Sequence, residues 1–337
     1  MKPQVEPLPP PAAAGPEPDC HAALERAIAA HDRPPLGEIL ARRGLGPYRG
    51  YSAMLREIRE LAASGARLEA LGRSVQGEPL LALCFGARRP DPSMRTSVIL
   101  SGLHPMEWIG IETHFELLRR LLALDLRERA VLAVPVANPD GVLRVDRNLR
   151  AGRWRFVRHN ARGVDLNRNF DVRWGRRNHW TRLVPWVVRP GPYPASEPEV
   201  GAVASALSRR RVDRALSLHS FGGAVLYPSA YSLLPVADAA EHRRWARHVA
   251  VRAAARAYRA LPCAWYGLGL AQGGLELDWL HERHGALSLL VECSRGGFGP
   301  SPQRLLDPFA WFNPPRPAET AARIAAAVLP FVAGSEC

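Results

Sequence analysis

Ser101-Gly102-Leu103-His104-Pro105-Met106-Glu107-Trp108-Ile109 is the stretch whose reading decides the fold. The apolar run Val98-Ile99-Leu100 leads into it, and a segment with helical periodicity over 111–124 leads out. A buried strand therefore ends just before His104, and a helix begins at Glu107. At such a corner an imidazole and a carboxylate three residues apart can both turn toward one cation, and zinc accepts that mixture of nitrogen and oxygen donors. Taken alone, His-x-x-Glu arises by chance in many chains and describes a capped helix start equally well. The rest of the sequence decides between the two.

On the N-terminal side, residues 1–19 are rich in Pro, Ala and Glu and are expected to form a disordered tail. Residues 20–50 are expected to be an N-terminal extension with one short helix, capped by Asp19 and running to about residue 30. The main domain is expected over 51–337. Ser52 is expected to cap its first helix, whose apolar face is Leu55, Ile58 and Leu61 and whose end is Gly65. Residues 71–85 read as two strands around Gln76-Gly77.

On the C-terminal side, a strand over 130–136 ends in Asn138-Pro139-Asp140-Gly141, and the Arg- and Trp-rich 147–162 reads as surface loop. Ser196-Glu197-Pro198-Glu199 opens a helix that ends near residue 210. Ala215-Leu216-Ser217-Leu218 is a short strand delivering His219. A long helix is expected over 237–260, an apolar strand over 286–291 delivering Glu292, and an amphipathic helix over 317–332. Strands alternating with helices imply an α/β fold: a single domain with a central mixed, mainly parallel β-sheet flanked by helices.

The 337 residues, 47% hydrophobic and 23% charged, are ample for one large core. The formal charge of +13 is carried almost wholly by arginine, because Lys2 is the sole lysine. The arginines are scattered, with short clusters at 173–177 and 209–211, and no helix-turn-helix, RNA-recognition or finger pattern accompanies them. No nucleic-acid partner is expected, although a basic surface favours acidic substrates through long-range attraction. No apolar run approaches membrane-spanning length, so no membrane partner is expected either. The five cysteines are odd in number, widely spaced and without CxxC, which points away from a disulfide framework and from a thiolate zinc site. Met1-Lys2 is followed by prolines rather than an apolar run. The expectation is a cytoplasmic monomer without a secretory leader.

His104, His219 and Glu292 each stand at or close to the end of an apolar strand, and sites in open α/β sheets form at the carboxyl ends of strands. Three ionisable residues at three strand ends are expected to converge. His104, Glu107 and His219 would give one zinc ion per chain three protein ligands and leave a position open, the arrangement of a catalytic site. Zinc lowers the pKa of bound water to about 7. Glu292 is the spare carboxylate that would pass a proton from water to a leaving amine. Directly after Leu289-Leu290-Val291 a carboxylate is costly unless functional or paired. Asp165 is a candidate to hold the second nitrogen of a ligand histidine. Asn167 and Arg168 are candidates for a donor fork on a substrate carboxylate, and Arg155 for stabilising an oxyanion. Spacing alone describes any of these arginines equally well as a solvated surface residue. His281-Glu282-Arg283-His284 looks like a metal pair but stands at a helix end before Gly285, where cationic side chains complement the dipole. The arginines between Trp245 and Tyr258 read as a solvated helix face.

From about residue 51 to the C-terminus the chain resembles the zinc metallocarboxypeptidases of the carboxypeptidase A/B type. The resemblance rests on Gly102-Leu103-His104-Pro105-Met106-Glu107-Trp108, Asn138-Pro139-Asp140-Gly141 and Trp154-Arg155. It continues through Gly163-Val164-Asp165-Leu166-Asn167-Arg168-Asn169-Phe170, Ser196-Glu197-Pro198-Glu199 and Leu218-His219-Ser220-Phe221. Gly273-Gly274 before Asp278-Trp279, and Val291-Glu292, complete it in the family's order. It implies zinc held by His104, Glu107 and His219, Glu292 as general base and acid, and Arg155 polarising the scissile carbonyl. Asn167 and Arg168 would anchor a terminal carboxylate, with Ser220 beside them. The implied reaction is removal of C-terminal residues from peptides bearing a free carboxylate. The run around Asn160-Ala161-Arg162-Gly163 is also similar to the bacterial murein-peptide amidases, which implies a cell-wall or γ-glutamyl peptide as an alternative substrate. A non-catalytic zinc- or peptide-binding relative is a third reading.

The chain departs from the family's pattern in two places. The family's mobile tyrosine has no counterpart in register before Gly273, Tyr266 being the nearest. One extra residue separates Gly274 from Asp278. If Leu277 takes the specificity position the pocket is apolar, and if Glu276 does, it suits a basic side chain.

Overall fold

Val98, Ile99 and Leu100 are fully buried because they run through the middle of one eight-stranded sheet, and the rest of the fold is arranged about them. The computed structural model describes residues 19–86, 93–175, 188–254, 256–266, 272–296 and 306–336. Helices α1 (Cys20–His31), α2 (Gly37–Ala41) and α3 (Tyr51–Ala63) precede strands β1 (Arg67–Arg73) and β2 (Pro79–Phe85). Then come β3 (Arg95–Ser101), α4 (Trp108–Leu121), β4 (Ala130–Val134) and α5 (Pro139–Arg150). A 3-10 turn at Leu166–Arg168 is followed by α6 (Pro198–Ser208), β5 (Arg211–His219), β6 (Ala224–Tyr227), α7 (Ala239–Arg252) and β7 (Arg259–Pro262). The chain closes with α8 (Cys263–Tyr266), α9 (Glu276–His284), β8 (Leu287–Glu292), α10 (Pro308–Phe312) and α11 (Pro317–Ala333).

The strand order is β1-β2-β4-β3-β5-β8-β6-β7. β3 pairs in parallel with β4 and β5, β5 with β8, and β6 with β7, while β1/β2, β2/β4 and β6/β8 are antiparallel. The sheet is mixed, with the parallel run β4-β3-β5-β8 at its centre and a further parallel pair, β6 and β7, at one edge. The chain leaves β3 for β4 on one side and passes back to β5 on the other, so β3 marks the topological switch point, where a crevice opens at the strand ends. Alternate residues of β3 face opposite layers. Ile99 belongs to the core layer that also holds Leu55 of α3, Phe115 of α4 and Val328 of α11. Val98 and Leu100 pack with α6 and α9 through Val203, Leu207 and Leu280. Burial on both faces is why this strand reads as an unbroken apolar run.

The structure departs from the sequence expectations at several points. Gly50, not Ser52, caps α3, and Ser52 is buried within its first turn. Asn138-Pro139-Asp140-Gly141 does not simply end a strand. The Asn138 side chain accepts from the Gly141 N–H and Pro139 takes the first helical position, so the run opens α5 and absorbs the first residues of the expected 147–162 loop. The expected helix over 237–260 ends at Arg252, and the chain turns into β7. Of the expected tail, residues 1–18 lie outside the described residues, and Asp19 caps α1 through its bond from Ala22 N–H. Residues 20–50 pack against the main body, with Leu24, Leu36 and Leu40 in the same core as α3. Among the described residues no helix is long and apolar enough to cross a membrane. Cys20, Cys84, Cys263 and Cys293 are free thiols.

Candidate active site

Gly102 ends β3 in a left-handed conformation (φ 68°), a turn that a side chain would oppose. The chain swings through His104 and re-enters helix at α4, whose N-cap residue is Glu107. Asn138 donates to Leu103 O and Asn313 to Met106 O, so α5 and the residue after α10 pin the turn from two sides. α4 then crosses β5 closely, with Gly110 against the Leu218 carbonyl. β5 and β8 run in parallel with His219 beside Glu292. One corner and two strand ends therefore meet.

The expected ligand set converges. Donor atoms of His104, Glu107 and His219 lie within 4.8 Å of one another, and all three residues are buried. His104 Nδ1 is 2.9 Å from Glu107 Oε1, and His219 Nδ1 is 2.8 Å from Glu107 Oε2 and 3.2 Å from His104 Nδ1. Behind them, His104 Nε2 is 3.1 Å from Asp165 Oδ1 and His219 Nε2 is 2.9 Å from Glu276 Oε1. A carboxylate accepts, so each Nε2 carries the ring proton and each Nδ1 turns a lone pair inward. Two nitrogen lone pairs and a carboxylate facing one another at such distances repel unless something positive lies between them. That donor set fits zinc, with borderline ligands, two neutral imidazoles and backing carboxylates. Without a cation, protonation of His219 relieves the repulsion. Burial disfavours its charge, yet Glu107 and Glu276 outweigh burial and hold its pKa well above the usual histidine range. Burial would likewise raise Glu107, but His104 and His219 outweigh it and keep that carboxyl ionised.

These residues line one cavity of about 320 Å³ together with Arg158, Asn167, Arg168, Ser220, Tyr266, Gln272 and Glu292. Glu292 Oε2 is closed off from solvent and has no hydrogen-bond partner among the described residues. Burial and the Glu107 charge push its pKa up to about 8. The structure does not bring Arg155 into this cavity. That residue is exposed and lines a narrow crevice with Met106, Trp154 and Phe309. Arg158, three residues on, lines the cavity instead, its Nε donating to Asp165 Oδ2 at 2.8 Å. Burial disfavours the Arg158 charge, but Asp165 and Glu107 hold its pKa above the usual value.

Asp165 lies behind His104, as expected, and accepts from the Asn167 N–H as well. Arg168 donates to Gln272 Oε1 and Asn167 O, and its Nε has no partner among the described residues. Ser220 lines the cavity, but its hydroxyl donates to Phe312 O and its N–H to Glu107 Oε2. Glu276 does not reach the pocket. It is fully buried behind His219, a role the sequence reading missed because nothing local couples residues 219 and 276. Leu277 packs behind two cavity residues, Leu226 and Leu290. Tyr266 does line the cavity, with its hydroxyl donating to Phe221 O at 2.7 Å.

A second cluster, Asp238, His242 and His281, also places ligand atoms within 4.8 Å of one another. Ser288 N–H donates to His242 Nε2 at 3.1 Å, so the neutral ring carries its proton on Nδ1, which faces Asp238 O at 3.2 Å. The inward nitrogen is a donor and cannot take a metal without breaking the Ser288 bond. Gly285 closes α9 in a left-handed cap (φ 65°), and His281 Nδ1 is 3.2 Å from Ala286 O, in keeping with a helix end.

Residues 51–310 match the model of the zinc carboxypeptidase family, Peptidase_M14. Carboxypeptidase A6 of Mus musculus is 32% identical over 203 residues, which cover 56% of this chain and 45% of that protein. The protein named inactive metallocarboxypeptidase ECM14, of Saccharomyces cerevisiae, is 28% identical over 183 residues, 49% of this chain and 42% of that one. The chain thus spans about half the length of the curated relatives it matches. The crystal structure of thrombin activatable fibrinolysis inhibitor is similar at a TM-score of 0.66 and 19% identity, over 94% of this chain and 81% of that chain, a likeness of fold.

Proposed function

The chain belongs to the zinc carboxypeptidase family, and on that premise we propose that it is a zinc-dependent exopeptidase that removes the C-terminal residue of peptides. The observation that carries this reading is Glu292, a half-buried residue with one enclosed, idle carboxylate oxygen, which lines the same cavity as Arg168 and the His104, Glu107 and His219 cluster. His104, Glu107 and His219 would hold the zinc, which when bound supplies Lewis acidity toward water and a carbonyl.

The side chains divide the remaining work. Arg168, steadied by Gln272 and the Asn167 carbonyl, takes the free carboxylate of the substrate as a fixed guanidinium fork. Arg158 faces the growing negative charge on the scissile carbonyl oxygen, where a preorganised cation in a water-poor cavity is most effective. Glu292 takes a proton from the attacking water as the new C–O bond forms, and passes it to the nitrogen as the C–N bond breaks. Leu226, Ala230, Cys263, Leu275 and Leu290 give the cavity an apolar wall, and Glu276 is turned away from it. This favours removal of residues with apolar side chains.

Purified protein incubated with paired peptides bearing free or amidated C-termini, with and without a chelator, tests the reading. Release of one apolar residue from the free acid alone, abolished by chelation, is the expected result. Cleavage confined to cell-wall peptides would replace the substrate class. No cleavage with zinc bound would place the chain with the relatives named inactive.

A further inference from the structure

Glu276 is a buried acid that the catalytic scheme leaves unused. Its side chain is completely enclosed. Oε1 accepts from Ser217 Oγ at 2.7 Å and from His219 Nε2 at 2.9 Å, while Oε2 has no partner among the described residues. A buried carboxylate with one idle oxygen is costly to keep and needs a reason. Its placement is fixed at both ends. Glu276 opens α9, and its backbone N–H donates to Asn167 Oδ1 at 3.0 Å. The Asn167 N–H donates in turn to Asp165 Oδ1, the oxygen that faces His104 Nε2. The contacts close a ring: His104, Asp165, Asn167, Glu276, His219, Glu107 and back to His104.

We propose that Glu276 is a positioning residue for the metal. It keeps the His219 proton on Nε2, aims the Nδ1 lone pair at the ion, and raises the basicity of that ligand, as Asp165 does for His104. Both ligating histidines are then backed by carboxylates, and the two carboxylates are tied through Asn167, a residue of the substrate cavity. Partners in the shell behind metal ligands set their tautomer and are worth about 10–100-fold in affinity. The inference rests on the zinc reading but not on the identity of the substrate.

The test is zinc affinity by chelator competition on the full chain, read without any substrate. Glu276→Gln keeps the size and an acceptor oxygen but loses the charge, and is expected to weaken zinc binding about fivefold or more. Glu276→Ala loses the acceptor as well and is expected to weaken it by about 10–100-fold. The zinc-free proteins should unfold at similar denaturant concentrations, which separates a metal effect from general damage. A folded Glu276→Gln protein with wild-type zinc affinity overturns the proposal, whether or not Glu276→Ala folds. Wild-type protein that fails to bind zinc at all would instead remove the family-based reading beneath it. Asp165→Asn, measured alongside, calibrates the loss expected for a backing carboxylate.

Discussion

At the scale of single residues, the sharpest discrimination is between two arginines three positions apart. Arg158 lies in the cavity against Asp165, and Arg155 is exposed outside it. Arg158→Ala is therefore expected to lower kcat/KM by about 10²–10³, the usual cost of losing an oxyanion donor. Arg155→Ala should stay within about twofold. Steady-state kinetics on one peptide decides it, and equal effects from both variants would contradict the assignment. His104, His219 and Glu292 could be found because each sits at or close to the end of an apolar strand, and strand ends converge by rule, while Glu107 could be found at the helix start three residues past His104. Arg155 was chosen through its neighbour Trp154, in a loop whose path no periodicity fixes. Glu276 was read as a specificity candidate rather than as the partner of His219, and Asn313 was passed over, because their partners, His219 and Met106, become neighbours only once the chain is folded.

At the scale of elements, the site depends on how closely α4 rides on β5. A side chain at Gly110 would bring its first carbon within 2.7 Å of the Leu218 carbonyl oxygen, a backbone atom that cannot step aside. Gly110→Ala must then push α4 away from β5, and these two elements carry Glu107 and His219. The expected cost is about 1–3 kcal/mol of stability, typical of overpacking, with a parallel loss of zinc affinity. Denaturant unfolding and chelator competition on one preparation measure both, and a destabilised protein with unchanged zinc affinity would show the corner to be more tolerant than drawn. Elements were legible where burial left a clear pattern, an unbroken apolar run in β3 and helical periodicity in α4 and α11. α5 was missed because Asn-Pro-Asp-Gly is equally good turn chemistry and only the capping bond from Gly141 to Asn138 distinguishes the two.

Across the whole molecule, acid stability is set in part by a histidine that never sees solvent. His114 is fully buried on α4. Ser101 Oγ donates to Pro135 O, so His114 Nδ1–H donates to Ser101, and Nε2 has no partner among the described residues. Burial lowers its pKa from 6.5 to about 3. Between those values the unfolded chain binds a proton that the native chain refuses. The stabilisation is complete above pH 6.5 and is lost as the pH falls toward 3, at about 1.4 kcal/mol per pH unit. From pH 7 to 5 the wild type should lose about 2 kcal/mol more than His114→Phe. Urea unfolding of both proteins at the two pH values checks this, and parallel losses would rule out His114 as the sensor.

The ring behind the ion joins four stretches of chain that lie far apart in order of synthesis, around residues 104–107, 165–167, 219 and 276. Glu292 follows, and α11 then covers α4, with Ser97 Oγ donating to Val332 O at 2.7 Å. A polypeptide still emerging from the ribosome thus carries two histidines and a glutamate without the partners that aim them. A chain stalled after residue 250 already holds all three expected ligands but lacks Glu276 and Glu292, and is expected to bind zinc more weakly than the folded domain and to leave peptides uncut.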